Sequence, residues 1–258
     1  MEWRNITVYG LLDLMVRYWA RYELRRVADR LPILGERTVL SGPFAGMRFG
    51  VGSEPSKVLP KLIGSYECEL HETVESLISK RLTTIINIGS ADGYYAVGMA
   101  VKCPQAQIIA FEMDEDLRNA CINVAVINGV ADRITILGKC DARSLDAFTL
   151  DGDLIIIDCE GAEVDILDEF NVQKLANTWL LIELHDALRP GCSRILWQRF
   201  EKTHDMNFIS STLRDPNKFD ILRGLRPRQK VLSLDEKRLG VQEWVVMTPK
   251  TQGAISVA

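Results

Sequence analysis

Several residues able to do binding or acid–base chemistry come directly after predicted strands. Carboxylates follow the second, third and fourth strands, and a histidine follows the fifth; they are Glu112, Asp141, Asp158 with Glu160, and His185. Carboxylates accept hydrogen bonds from hydroxyl and amino groups, whereas histidine can take up a proton near neutral pH. The pattern favours a site that binds a polar or cationic molecule and moves a proton.

The strands that must position these residues are short apolar runs separated by helical segments. Five runs alternate with helices and two more close the chain, at 84–88, 107–111, 134–137, 153–158, 179–184, 208–213 and 243–248. This rhythm predicts an α/β fold with a doubly wound, seven-stranded, mostly parallel sheet that ends in a hairpin. Right-handed crossovers place the carboxyl ends of parallel strands at one edge, so we expect Glu112, Asp141, Asp158, Glu160 and His185 to converge there.

The first eighty residues are expected to form an N-terminal helical extension that covers the site. We interpret residues 1–80 as this cap and residues 81–258 as the main domain. A helix at 65–80 is predicted, and an amphipathic helix at 6–31 carries an apolar face of Val8, Leu11, Leu12, Met15, Val16, Trp19 and Tyr22. We expect this face to pack on its own domain; pairing of two copies in a homodimer and contact with an anionic membrane are the alternatives.

The turn after the first predicted strand indicates which ligand fits. It reads Gly89-Ser90-Ala91-Asp92-Gly93, whereas a dinucleotide site has G-x-G-x-x-G and holds a pyrophosphate at the helix N-terminus. Asp92 would repel a pyrophosphate. S-adenosylmethionine has no phosphate, carries a sulfonium and an ammonium, and offers a ribose diol to an acidic residue about twenty positions on, where Glu112 lies. The turn favours S-adenosylmethionine, and a nucleotide-dependent oxidoreductase is the alternative.

The composition is that of a globular protein without an evident nucleic-acid partner, with 26% charged residues and a net charge of −4. The six cysteines form no C-x-x-C pair and the three histidines show no zinc spacing, so we expect reduced thiols and a cytoplasmic location. Glu2, Arg4 and Asp13 interrupt any signal peptide. No uncharged apolar stretch reaches about 18 residues, which predicts that no segment crosses a membrane.

The sequence resembles the class I S-adenosylmethionine-dependent methyltransferases and, within them, the FkbM family. The resemblance covers about residues 40–250 and is carried by INIGSADGYY at 86–95, FEMD at 111–114, IELH at 182–185 and above all DLIIIDCEGAEVDIL at 153–167. It implies that Glu112 takes the ribose hydroxyls and Asp141 the adenine amino group. The whole cofactor-binding set that it implies is Asn87, Gly89, Ala91, Gly93, Glu112, Asp141 and Asp158.

Methyl transfer from a sulfonium is an in-line displacement, so the protein must align the acceptor and, for a hydroxyl, remove its proton. His185 is our candidate base, with an ordinary pKa near 6.5 and with Glu183 or Asp186 to orient it; Asp158 and Glu160 are alternatives. Carboxylates and a histidine at one edge also suit Mg²⁺, as in some related O-methyltransferases. Magnesium takes only one or two carboxylates plus waters, so the sequence leaves both interpretations open.

The loop between the last two strands, residues 214–242, carries six arginines and lysines in its first part. Long loops are often functional, so this one either reads a phosphate or carboxylate on the acceptor or is a solvated basic surface. The sequence contains no NPPY-type tetrapeptide, the motif that is typical of nucleic-acid amino methylases. The sequence predicts O-methylation of a small molecule, sugar or glycan, with an anionic acceptor as one option; a non-catalytic module on the same fold is the second alternative.

Overall fold

The computed structural model describes residues 15, 18–20, 22–27, 30, 31, 35, 37–50, 55–238 and 240–250, with side chains except at 55–57. Its sheet is formed by β1 (Thr84–Ile88), β2 (Gln107–Phe111), β3 (Ile134–Leu137), β4 (Leu154–Ile157), β5 (Trp179–Leu184), β6 (His204–Ser210) and β7 (Glu243–Pro249). The strand order is β3-β2-β1-β4-β5-β7-β6. Only the pairings of β7, with β5 and β6, are antiparallel. The predicted doubly wound, seven-stranded, mostly parallel sheet is confirmed.

Helices connect and flank the strands: α1 (Pro55–Ile63), α2 (His71–Ile78), α3 (Tyr94–Lys102), α4 (Glu115–Ile127), α5 (Glu163–Ile166), α6 (Glu169–Lys174), α7 (Cys192–Phe200) and α8 (Pro227–Ser233). Asp114 caps α4, because its carboxylate accepts from the backbone N–H groups of Asp116 and Leu117. Asp168 caps α6 in the same way, by accepting from the backbone N–H of Asn171. Helix α1 was not predicted.

Alternate residues of the central strands face two apolar layers. On β4, Leu154 and Ile156 join the layer that includes α3 and the N-terminal region, while Ile155 and Ile157 join the layer formed with α5 and α7. Because successive side chains of a strand point to opposite faces, a continuous run of isoleucines buries both faces of a parallel sheet. The sheet is therefore covered on both sides, and its strand ends are left as the accessible edge.

Residues ahead of β1 pack into the first of these layers. Phe44 is fully buried, and a Cβ atom added to Gly98 of α3 would lie 2.5 Å from its ring. Phe44 also makes edge-to-face contacts with Tyr94 and Tyr95. The residues before β1 thus share a core with the sheet, and the division of the chain at residue 80 stays a prediction.

The prediction that the apolar face of the N-terminal helix packs on its own domain is wrong for the residues that the structure describes. Residues 18–20 and 22–27 are helical, but Met15, Trp19 and Tyr22 are exposed. The buried positions are Leu24 and Val27 on another face, because the segment is anchored near α8 by Glu23, which accepts from Arg228 at 2.9 Å and Gln229 at 2.8 Å. Val8, Leu11, Leu12 and Val16 lie outside the described residues.

Two further element bounds differ from the prediction. Strand β6 lies at His204–Ser210 rather than 208–213, because its antiparallel partner β7 begins at Glu243, opposite Ser210. Regular α-helix begins at His71 rather than 65, after a 3₁₀ turn at Cys68–Leu70 that starts from the left-handed residue Glu67. Among the described residues, no helix is both long and apolar enough to cross a membrane.

Candidate active site

The turn after β1 is the tight glycine turn that the sequence predicts. Gly89 and Gly93 have left-handed φ values of +78° and +89°. A Cβ atom at Gly89 would lie 1.6 Å from the backbone oxygen of Asp158, and one at Gly93 would lie 2.7 Å from Sγ of Cys121. Close packing against the end of β4 and against α4 therefore requires both glycines. Their contact with a cofactor stays a prediction.

Glu112, directly after β2, is buried and fastened to this turn. One carboxylate oxygen accepts from the backbone N–H of Ala91 at 2.9 Å, and the other accepts from the N–H of Asp114 at 2.9 Å. Each oxygen has a second lone pair, so Glu112 keeps the capacity to accept from a hydroxyl group. The predicted role toward ribose stays a prediction.

Asp141 lies beyond β3 and caps the 3₁₀ helix Ala142–Ala147. Its carboxylate accepts from the backbone N–H and the hydroxyl of Ser144, both at 2.8 Å. These hydrogen bonds lower the pKa of Asp141 below its ordinary value. The cap explains this residue structurally; it does not line the two cavities described next, and its contact with adenine stays a prediction.

A small cavity of about 50 Å³ lies between α1, the glycine turn and the ends of β4 and β5. Asn87 and Ser90 line it and are 2% and 4% exposed. Neither Oδ1 of Asn87 nor Oγ of Ser90 has a hydrogen-bond partner, although the Asn87 amide makes a long 3.5 Å bond to the Ile156 carbonyl. Buried polar atoms are rarely left unpaired, so these two require a polar partner inside the cavity, which is either a ligand or an ordered water molecule.

Lys61 closes one side of the small cavity. Its Nζ lies 2.8 Å from Oδ1 of Asp92 and 5.0, 5.1 and 5.4 Å from the ring centroids of Phe49, Tyr66 and Tyr94. Three aromatic faces and a carboxylate form a site for one positive charge. Because Asp92 is paired with Lys61, its charge is a weaker obstacle to a pyrophosphate than the sequence suggested.

A second, acid-lined cavity of about 510 Å³ adjoins the first. Tyr66, Asp158 and Glu183 line both cavities, so the two spaces meet at the ends of β4 and β5. The acid-lined cavity also includes Glu160 and His185. The predicted convergence is confirmed for Asp158, Glu160 and His185, which line this cavity with Glu183. Glu112 and Asp141 line neither cavity, so for these two the prediction is wrong.

His185 is oriented by Glu163, and the expectation of Glu183 or Asp186 is wrong. Its Nδ1 lies 2.8 Å from Oε1 of Glu163, which is completely buried. Asp186 instead accepts from the backbone N–H groups of Gly191 and Ser193, both at 3.1 Å, at the start of α7. The other ring nitrogen of His185, Nε2, faces Asp158 at 3.6 Å and Glu160 at 3.7 Å.

The pKa values of His185, Asp158 and Glu183 differ from their ordinary values. Burial alone lowers the pKa of His185, but the hydrogen bond and charge of Glu163 outweigh it and raise the pKa to about 9. His185 is thus protonated at neutral pH. Burial, together with the neighbouring carboxylate of Glu67, raises the pKa of Asp158, and burial and the charge of Asp158 raise that of Glu183.

The turn after β4 is conformationally strained at the same place. Glu160 has a left-handed φ of +56° and is followed by Gly161 at +100°. A residue with a side chain rarely adopts this conformation, and such residues cluster at functional sites. The DCEGAE stretch thus presents Asp158 to the cavities and returns Glu163 beneath His185.

Two arginines of the basic loop, Arg214 and Arg238, are already paired with carboxylates near this site. Arg238 pairs with Glu67 at 2.5 Å and Glu236 at 2.8 Å, and reaches Glu183 at 3.3 Å. Arg214 pairs with Glu69 at 2.6 Å and with Glu236 at 2.7 Å. Both guanidinium groups are largely buried in these pairs, so neither provides support for an anionic acceptor.

Sequence reasoning missed two residues of the site, Lys61 and Glu163. Glu163 lies within the DCEGAE stretch, and this motif was the available signal. No sequence motif indicates Lys61, because its aromatic surroundings come from three separate parts of the chain.

Asp158, Glu183 and His185 each present one atom within 4.8 Å of the others, a spacing that a metal ion could bridge. Carboxylate oxygens suit Mg²⁺. A protonated imidazole has no lone pair to give, so His185 joins such a set only after losing a proton. The fit to magnesium therefore rests on two carboxylates.

No protein-family model and no curated protein sequence matches the chain. Solved structures with a related fold include the O-methyltransferase TomG of Streptomyces achromogenes, involved in tomaymycin synthesis and solved in complex with S-adenosylmethionine. It is 13% identical, with a TM-score of 0.45 over 78% of this chain and 82% of that one.

Two further structures are similar in the same range. The precorrin-6Y C5,15-methyltransferase of Geobacter metallireducens is 11% identical, with a TM-score of 0.47 over 70% of this chain and 87% of that one. An S-adenosylmethionine-dependent O-methyltransferase of Thermotoga maritima is 11% identical, with a TM-score of 0.46 over 71% and 65%. At this level of identity a shared fold does not assign a reaction or a substrate.

Proposed function

We propose that this protein is an S-adenosylmethionine-dependent methyltransferase, of the FkbM type that its motifs resemble, and that it methylates a hydroxyl of a small molecule, sugar or glycan. The observation that carries the proposal is the meeting of two cavities at Asp158. One contains unpaired buried polar atoms on Asn87 and Ser90, and the other contains the oriented His185.

The residues of the small cavity fit the amino-acid end of S-adenosylmethionine. Oδ1 of Asn87 and the carboxylate of Asp92 would accept from its ammonium, and Lys61 would pair with its carboxylate. A zwitterion can exchange with the Lys61–Asp92 ion pair without leaving either charge unpaired. A volume of about 50 Å³ holds only one or two water molecules, so binding would require Lys61 to move.

When bound, S-adenosylmethionine supplies an electrophilic methyl group on a positive sulfonium. Asp158 lines both cavities, and its raised pKa makes it a stronger base than an ordinary aspartate. We therefore assign the removal of the hydroxyl proton to Asp158. His185, protonated at neutral pH beside Glu163, would hold the acceptor and position Asp158, and Glu160 would lie at the rim.

A thermal-shift comparison tests the cofactor. S-adenosylhomocysteine at about one hundred times its Kd should stabilise the protein by about 2.7 kcal/mol, whereas NAD⁺ and NADP⁺ should have no effect. Stabilisation by NAD⁺ or NADP⁺ alone would favour the oxidoreductase alternative. Because Asp92 is paired with Lys61, this measurement distinguishes S-adenosylmethionine from a dinucleotide cofactor more clearly than the charge of the glycine turn does.

The catalytic proposal is tested by incubating the protein with radiolabelled S-adenosylmethionine and an extract of small molecules. Transfer of label to a hydroxylated compound supports it. Cofactor binding without any transfer would favour the non-catalytic module. The same assay with a chelator tests Mg²⁺: activity should persist, and its loss with recovery on adding Mg²⁺ would show that Asp158 and Glu183 hold a metal.

Three further proposals concern the setting of the protein. The six cysteines are free thiols, which supports a cytoplasmic location.

Exposed Met15, Trp19 and Tyr22 support a homodimer through the N-terminal helix. Light scattering should then show a dimer that Trp19→Ser weakens. A net charge of −4 and the acid-lined cavity support an acceptor other than nucleic acid.

A further inference from the structure

A third open space continues from the acid-lined cavity. This apolar cavity, of about 520 Å³, lies between the end of β6 and the segment that runs from α8 to β7. Glu236, Arg238 and Val241 line both spaces, so the wall is continuous from the apolar cavity to the acid-lined one. The acid-lined cavity in turn reaches Asp158.

Three apolar side chains that line the apolar cavity are exposed. Leu213 is 100% exposed, Val241 is 71% exposed and Val231 is 60% exposed, and all three line this space. Leu188, on the wall of the acid-lined cavity, is also exposed. Single exposed apolar residues are ordinary, but a group of them around a cavity marks a surface that binds something apolar.

The charged groups of the apolar cavity are already in ion pairs. Arg214 and Arg238 form their ion pairs with the buried carboxylates of Glu67, Glu69 and Glu236. Replacing these partners with a ligand's phosphate or carboxylate would leave buried carboxylates without compensation, which is costly. The surface offered to a ligand is therefore the apolar one formed by Leu213, Val231 and Val241.

We propose that the methyl acceptor is amphipathic: its hydroxyl-bearing head lies in the acid-lined cavity and its apolar tail lies in the apolar cavity. This inference rests on the proposed function and adds the class of acceptor. The continuity of the two cavities through Glu236, Arg238 and Val241 selects this occupant. A second copy of the chain or a membrane would cover the exposed leucine and valines without any need for a passage to Asp158.

Binding of two glucosides that differ only in their tail tests the proposal. The full-length protein, saturated with S-adenosylhomocysteine, is titrated in a calorimeter with methyl β-D-glucopyranoside and with octyl β-D-glucopyranoside below its micelle concentration. Burial of two or three methylene groups suffices for about tenfold tighter binding. We expect the octyl compound to bind at least about tenfold more tightly.

Variants locate the effect. Leu213→Ser and Val231→Ser should reduce the preference for the octyl compound several-fold and leave methyl glucoside binding unchanged, because Leu213 and Val231 line the apolar cavity and not the acid-lined one. Phe170→Ser is the matched control, because Phe170 is 91% exposed on α6 and lines neither cavity; it should change nothing.

Two outcomes overturn the proposal. One is an octyl compound that binds the unmodified protein no more tightly than the methyl compound does, or that binds the two cavity variants as tightly as it binds the unmodified protein. The other is a change of oligomeric state in Leu213→Ser or Val231→Ser, seen by light scattering, which would make the surface an interface between copies. Failure of S-adenosylhomocysteine to bind the unmodified protein would instead contradict the proposed function.

Discussion

The small cavity and the acid-lined cavity meet at Asp158, yet their walls are built differently. The small cavity is formed by the glycine turn, strand ends and α1, and it contains unpaired atoms on Asn87 and Ser90. The acid-lined cavity is about ten times larger and is walled mainly by segments that follow β4 and β5 and precede β7. Strand ends hold donors and acceptors in fixed positions, whereas loops vary readily. The difference suits a ligand of constant structure in the first cavity and a variable one in the second.

The strongest test of this division is a change at the residue that belongs to both cavities. Asp158→Asn removes the proposed base and should lower methyl transfer by roughly 10²- to 10⁴-fold, the usual effect of losing a positioned base. Glu160→Gln is the matched control: its carboxylate is exposed, and its activity should stay within about threefold. Initial rates with labelled cofactor check both variants. If Asp158→Asn stays active while the rate climbs up to pH 9, His185 is the base instead.

The pH dependence of stability separates the acid-lined cavity from the rest of the fold. The folded pKa of His185 is raised to about 9 from about 6.5, so its stabilising contribution is complete below pH 6.5 and is lost as pH rises through 9. The raised pKa values of Asp158 and Glu183 act in the same direction, because the folded state binds more protons than the unfolded one. We expect the free energy of unfolding to fall by a few kcal/mol between pH 6.5 and 9.

Glu163→Gln identifies the source of that fall. Without the buried carboxylate, the pKa of His185 should return toward its ordinary value, and the loss of stability between pH 6.5 and 9 should become much shallower. Urea unfolding at a series of pH values measures this. An unchanged slope in Glu163→Gln would place the titrating group elsewhere.

Asn87→Leu tests whether the small cavity binds the cofactor. The leucine removes an unpaired buried oxygen, so we expect unchanged or higher stability together with S-adenosylhomocysteine binding weakened by about 1.5–3 kcal/mol. Asn171 is the control, because it is equally buried but donates to the carbonyls of Ala142 and Ile166. Asn171→Leu should lose about 1–3 kcal/mol of stability and keep its affinity. Equal destabilisation by both leucines would assign Asn87 a structural role.

The smallest expected effect concerns Lys61. If it pairs with the carboxylate of the cofactor, Lys61→Met should weaken S-adenosylhomocysteine about tenfold and leave unchanged the binding of 5′-methylthioadenosine, which lacks the amino-acid group. Calorimetry with the two ligands measures the difference. Lys80→Met is the control, since Lys80 also lies over an aromatic ring, that of Trp179, without lining the small cavity. Equal losses for both ligands would contradict the pairing.

The sheet could be predicted from the sequence because its signal is local. Strands β1 to β5 are continuous apolar runs, and for β1, β2, β3 and β5 the predicted bounds agree with those observed. Strand β6 is an edge strand with mostly exposed residues, so its apolar pattern is weak and its bounds follow from pairing with β7. The exposed face at Met15, Trp19 and Tyr22 shows the same limit, since periodicity alone does not reveal which side of a helix the rest of the chain covers.

The site was predictable in position and less so in its contacts. Topology places Asp158, Glu160 and His185 at one edge of the sheet whatever their rotamers. The partner of His185 depends on the tight turn after β4, where the left-handed backbone at Glu160 brings Glu163 beneath the ring. The pKa of His185 follows from that contact, so composition and spacing could not provide it.

The ion pairs of Glu67 and Glu69 have a consequence for how the chain folds during synthesis. Their partners Arg214 and Arg238 lie about 145 and 171 residues later in the chain, and the ribosome releases the N-terminal part first. Until those arginines emerge, burial of Glu67 and Glu69 would leave two carboxylates unpaired in an apolar setting, which is unfavourable. This wall of the acid-lined cavity can therefore be completed only after Arg214 and Arg238 have left the ribosome.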